Sequence, residues 1–119
     1  MKNILIVDDS ATSRMLFKAH MPEGHPHAVH EANDLPSALK MADTITPDLV
    51  VLDYNMPGAN GVEVAQRLLA TGLKAKLVLL TANTQQSVIE DARALGFFKV
   101  VEKPITSEKL AALLQEVGG

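Results

Sequence analysis

A chain of 119 residues can build one domain around one core and is too short for two. Its hydrophobic fraction of 47% argues against disorder, while 3% aromatics and no tryptophan leave the core to Leu, Val, Ile, Ala and Met. The absence of cysteine excludes a disulfide scaffold, a thiolate metal site and a thiol nucleophile, and a net charge of −3 gives no basic footprint for nucleic acid.

The chain opens on Met1-Lys2-Asn3 and passes at once into Ile4-Leu5-Ile6-Val7, a continuous apolar run of the kind buried on both faces of a parallel sheet. That start leaves no room for a signal peptide, and no later run approaches the roughly 18 residues of a membrane span. A soluble cytoplasmic protein without a membrane partner is the expectation. Thr12, Met15, Leu16 and Ala19 then fall on one helical face, predicted to be the buried one. Ala28-Val29-His30-Glu31-Ala32 is partly polar and suits an edge strand. Leu35, Ala38, Leu39 and Ala42 mark a second helix, whose first turn tolerates Pro36.

Leu49-Val50-Val51-Leu52 reads as a central strand and ends on Asp53. The turn-rich loop Met56-Pro57-Gly58-Ala59-Asn60-Gly61 follows, and ordinary loop chemistry accounts for Gly58 and Gly61. A third helix carries Val62, Ala65, Leu68 and Leu69. Leu77-Val78-Leu79-Leu80 is the fourth strand, and Val88, Ala92 and Leu95 mark the fourth helix. A fifth strand is read at Phe98 to Val101. Leu110, Leu113, Leu114 and Val117 complete a last helix, with Thr106 or Ser107 as its cap. Gly118-Gly119 closes that helix, so one domain over residues 1–119 with no output domain is expected. Five alternating strands and helices imply an α/β fold, a parallel sheet with helices on both faces.

Ligands of such folds bind beyond the carboxyl ends of the strands. Asp8 and Asp9 follow the first strand, Asp53 ends the third, Thr81 follows the fourth and Lys103 the fifth. Singly, an aspartate there is usually a turn or helix cap, and a lone Thr or Lys is solvated surface. Together the five would place three carboxylates on one rim, and their repulsion calls for a cation. Oxygen ligands without cysteine favour a hard ion such as Mg²⁺, with Mn²⁺ as a substitute. Asp53, alone at the end of a central strand, is then the candidate nucleophile for phosphoryl transfer, with Lys103 and the cation offsetting phosphoryl charge and the Thr81 hydroxyl as a donor.

Val7-Asp8-Asp9-Ser10, Glu31-Ala32-Asn33-Asp34, Pro47-Asp48 through Asp53, Met56-Pro57-Gly58, Leu80-Thr81-Ala82 and Lys103-Pro104 stand in this order over nearly the whole chain. In that arrangement the sequence resembles the receiver domain of two-component response regulators. The resemblance implies a flavodoxin-like doubly wound sheet of strand order 2-1-3-4-5. It implies that Asp53 takes a phosphoryl group from a phosphohistidine on a sensor histidine kinase or histidine phosphotransfer protein. Asp9, Asp53 and the Asn55 backbone carbonyl would bind Mg²⁺ directly, and Asp8 through a water. Lys103 would contact the phosphoryl group and Thr81 would swing toward it. The Lys103–Pro104 bond is often cis in similar proteins. The chain would act as a phosphoacceptor switch with its own phosphorylation and dephosphorylation chemistry, not as an enzyme on an external substrate. It would signal to a downstream protein, as in chemotaxis or a phosphorelay.

Asn55 and Asn83 stand at positions that in this family tune loss of the phosphoryl group; two solvated loop residues are the equal alternative. One departure is plain. Similar proteins carry Tyr or Phe three residues before the lysine, and here Val100 stands there. One of Phe97 and Phe98 is expected in the core and the other partly exposed. His20, His25, His27 and His30 cluster away from the acidic rim and read as solvated loop residues. A haloacid dehalogenase-type phosphatase would want an Asp where Asn55 stands. A flavin or nucleotide binder would want a phosphate loop where Asp8 and Asp9 stand.

Overall fold

Branched apolar runs form the strands, and amphipathic stretches between them form the helices. The computed structural model describes residues 2–82 and 85–118. In chain order the elements are β1 (Asn3–Val7), α1 (Ala11–Ala19), β2 (Ala28–Ala32), α2 (Leu35–Ile45), β3 (Leu49–Asp53), α3 (Gly61–Ala70), β4 (Lys76–Thr81), α4 (Gln86–Leu95), β5 (Lys99–Glu102) and α5 (Ser107–Gly118). The strands pair in parallel in the order β2-β1-β3-β4-β5. The alternating pattern therefore gave the α/β class, and the resemblance gave the strand order. β5 begins one residue later than read, at Lys99.

The sheet is covered on both faces, which is why β1, β3 and β4 are apolar without alternation. Leu5, Val7, Val50, Leu52, Leu77 and Leu79 pack with α2, α3 and α4 through Ala38, Val64, Leu68 and Ala92. Ile4, Ile6, Leu49, Val51, Val78 and Leu80 face α1 and α5, meeting Phe17, Leu110, Leu113 and Val117. No helix among the described residues is long and apolar enough to cross a membrane.

α1 corrects the sequence reading. Met15 and Leu16 are 67% and 49% exposed, and Thr12 and Ala19 are exposed with them. The buried position is Phe17, which reaches the sheet between β1 and α5. Ser13 and Met21, one turn to either side, share its stripe. A short helix turns one stripe to the sheet, and the aromatic ring removes more apolar surface there than either Met15 or Leu16 would.

Local capping sets where the helices start. Ser10 Oγ accepts from the Ser13 N–H at the head of α1. Asp34 with Ser37, and Asn60 with Glu63, form capping boxes on α2 and α3. Thr106, not Ser107, caps α5, accepting from the Lys109 N–H at 3.1 Å. Gly58 has φ +84° in the turn, as loop chemistry requires. Gly61 has a different reason: a Cβ there would lie 2.6 Å from the Asp53 carbonyl oxygen and 2.9 Å from Leu79 Cδ1. Its missing side chain lets α3 begin directly against the end of β3.

Candidate functional site

Parallel pairing continues one step past the strand ends and builds a rim. The Asp8 N–H donates to the Ala32 carbonyl at 3.0 Å, Tyr54 N–H to Leu80 at 2.9 Å, and Lys103 N–H to Thr81 at 2.9 Å. These bonds bring Asp8, Asp53, Thr81 and Lys103 to the carboxyl edge of the sheet, as their places after the apolar runs predicted. Asp8, Asp53 and Thr81 are buried at 1%, 5% and 0% exposure, whereas Asp9 faces solvent. The Lys103–Pro104 peptide bond is cis.

Lys103 Nζ lies 2.9 Å from Asp53 Oδ1 and 3.5 Å from Asp8 Oδ2. The first is a charge-assisted hydrogen bond; the second is an electrostatic contact at the outer limit of bonding distance. Burial pushes the Asp53 carboxyl above its ordinary range. The Lys103 hydrogen bond opposes that rise, the Asp8 charge adds to it, and the Asn55 N–H opposes it in turn. Burial also works against the Lys103 charge, but the Asp53 hydrogen bond and the two carboxylate charges outweigh it and raise its pKa. In a simple ion pair the acid would fall. Here one ammonium does not offset burial and repulsion together.

Asp8 bears on what the site can hold. Its Oδ1 accepts from the Ser10 N–H at 2.9 Å, while Oδ2 is buried without a hydrogen-bond partner. One oxygen each of Asp8, Asp9 and Asp53 lies within 4.8 Å of the others, the only such group of three metal-competent side chains among the described residues. An all-oxygen set with a surplus of negative charge and an unbonded oxygen fits a hard divalent cation.

The remaining positions divide. Asn55 is exposed two residues past Asp53; Asn83 lies outside the described residues. Val100 is half-buried and packs with Phe97 against the α2–α4 side of the core; Phe97 is itself only half-buried and Phe98 is 40% exposed, so neither phenylalanine is the core residue expected. The histidines are half-buried, not solvated as expected. His25 and His27 stack with ring centroids 5.8 Å apart, and His27 Nδ1 and His30 Nε2 are buried without partners. Residues the sequence reading passed over also touch the site. Arg14 Nη1 donates to the Asp8 carbonyl at 2.6 Å, and Lys109 Nζ donates to the Glu102 and Pro104 carbonyls on either side of Lys103. The available signal for the first was Glu31, a charge within a strand that needed a partner.

The response regulator receiver domain family model matches residues 4–115. The chemotaxis protein CheY of Listeria monocytogenes is 30% identical, with 98% of each chain covered. The transcriptional regulatory protein PdtaR of Mycobacterium tuberculosis is 31% identical over 96% of this chain, which spans 55% of that protein. Among solved structures, the Vibrio cholerae chemotaxis protein CheY4 superposes with a TM-score of 0.89 at 27% identity over 98% of both chains. Strand order, rim and sequence agree, and the chain belongs to the response regulator receiver domain family.

Proposed function

We propose that Asp53 accepts a phosphoryl group from a phosphohistidine on a sensor histidine kinase or histidine phosphotransfer protein. The observation that carries this reading is the placement of Asp53, buried at the rim with Lys103 at 2.9 Å and the oxygens of Asp8 and Asp9 within 4.8 Å. In the transfer, an Asp53 carboxylate oxygen attacks phosphorus and the P–N bond to the imidazole breaks. Its electron pair stays on that nitrogen and an acyl phosphate forms. Attack of water on phosphorus later releases phosphate and restores the carboxylate.

Asp9, Asp53 and the Asn55 carbonyl would hold Mg²⁺ directly, Asp8 through a water, with Mn²⁺ as a substitute. The bound cation supplies charge neutralisation for the phosphoryl oxygens. Lys103 neutralises a further phosphoryl oxygen, and Thr81 donates its hydroxyl to another and so reports the modification. Asn55 and Asn83 set how readily water reaches the phosphorus. The chain works in the cytoplasm as a single receiver domain over residues 1–119. It is a switch whose phosphorylation-dependent surface binds a downstream protein, with neither nucleic acid nor membrane as partner. Its relatives include a chemotaxis protein and a transcriptional regulatory protein, each about a third identical, so the downstream protein is not fixed by the family alone.

Incubation with Mg²⁺ and acetyl phosphate should add one phosphoryl group by intact mass spectrometry. EDTA or Asp53→Asn should abolish the gain. Full labelling of Asp53→Asn would overturn the assignment.

A further inference from the structure

Asp8 and Asp9 are useful together only if the peptide between them is held in one orientation, because that plane sets where the Asp9 side chain points. The Asp8 N–H is tied to Ala32 of β2, and its Oδ1 is tied to the Ser10 N–H. Its carbonyl, the oxygen of the Asp8–Asp9 peptide itself, accepts from Arg14 Nη1 at 2.6 Å. Arg14 is in turn fixed by Glu31 of β2: Nε donates to Oε1 at 3.0 Å, and the arginine side chain is 17% exposed. Glu31 also receives Lys18 Nζ at 3.0 Å through its other oxygen, but that lysine is 49% exposed. The planar guanidinium makes both contacts at once, which an ammonium cannot do in the same geometry.

We propose that Arg14, held by Glu31, is the positioning residue of the cation site: it locks the Asp8–Asp9 peptide so that both carboxylates face one point. The proposal rests on the reading of this rim as a Mg²⁺ site. Glu31 offsets the arginine charge and so lets a cation stand beside a site meant for another cation. Partners that orient metal ligands from outside commonly change affinity by about 10- to 100-fold when removed.

The sign of the effect separates positioning from charge. Arg14→Met keeps much of the apolar stem and removes a positive charge near three carboxylates. Coulomb repulsion alone would then make Mg²⁺ bind more tightly. Loss of positioning makes it bind roughly tenfold more weakly. Calorimetric titration with MgCl₂ alone, checked by the fluorescence of Tyr54, the single tyrosine and the neighbour of Asp53, reads this without any turnover. Lys18→Met shares the Glu31 partner but not the Asp8 carbonyl and should leave affinity unchanged. Arg14→Lys, a milder change that covers the case of a misfolded methionine variant, should fall between wild type and Arg14→Met. Melting in EDTA reports the fold of each variant. Failure of the wild type to bind Mg²⁺ would sink the metal-site reading itself. A wild type that binds, beside folded Arg14 variants that bind as tightly or more tightly, would overturn the role of Arg14 alone.

Discussion

The Asp53 carboxyl sits beside a second buried carboxylate with one ammonium in reach, and its pKa is raised, burial being the largest cause. Without metal, the folded protein therefore holds this proton more tightly than the unfolded chain, whose carboxyl titrates near 3.8. A raised pKa contributes stability that is fully present below the unfolded value and is lost as pH rises through the folded one. Urea melts in EDTA should show the wild type losing stability relative to Asp53→Asn as pH climbs above 3.8, since the lowered carboxyls of Glu31 and Asp34 slope the other way but are common to both proteins. Equal slopes in the two proteins would contradict the burial argument. Lys103 adds no competing slope there, since its own raised pKa keeps it charged until well into the alkaline range. The five rim residues were legible because each lies within two residues of the end of an apolar run. Arg14 was not, because its partners are a backbone carbonyl and a carboxylate 17 residues away. The order of the chain does not display such contacts.

The helices carry the main lesson at the scale of elements. α2, α4 and α5 turn their predicted stripes inward, with Leu35, Leu39 and Leu95 half-buried. α3 buries Val64 beside the predicted Ala65 and Leu68 and leaves Val62 and Leu69 half-buried; α1 turns a different stripe. Met15 and Leu16 supply a convincing apolar face, yet Phe17 alone occupies the core position. Periodicity shows that a nine-residue segment is helical. It cannot say which of two plausible stripes meets the sheet when the helix is short. Phe17→Ala should cost about 3–5 kcal/mol. Met15→Ala and Leu16→Ala should each stay within about 0.5 kcal/mol, the range of exposed positions. Urea denaturation of the three variants checks this, and a large loss at Leu16 with a small one at Phe17 would reverse the packing described. Gly61 is a second case of the same kind. Its sequence context says loop, while its reason is the approach of α3 to the Asp53 carbonyl, which only the folded register reveals.

If Asp53 is phosphorylated as proposed, the whole molecule has to convert a change at one rim into a change of surface, which requires two states that the modification can bias. Thr81, at the end of β4, can supply one contact to the phosphoryl group. Val100, half-buried on β5, has too small a side chain to exchange an exposed for an interior position as an aromatic ring would. The rearrangement should therefore centre on the end of β4 and the start of α4. NMR shifts on adding beryllofluoride, which mimics an acyl phosphate, should be large at Thr81, Ala82 and Gln85 and small at Val100 and Val101. Shifts centred on Phe97, Phe98 and Val100 would mean that a displaced phenylalanine performs the aromatic role.

The proposed switch depends on Asp53 being the residue modified, and that can be read chemically. Borohydride reduces an acyl phosphate to the alcohol, so an aspartyl phosphate becomes homoserine. Protein labelled by acetyl phosphate in Mg²⁺, reduced and digested, should yield homoserine at position 53 and aspartate at positions 8 and 9. Homoserine at either of those positions, or phosphate retained on a serine or threonine after reduction, would contradict the account.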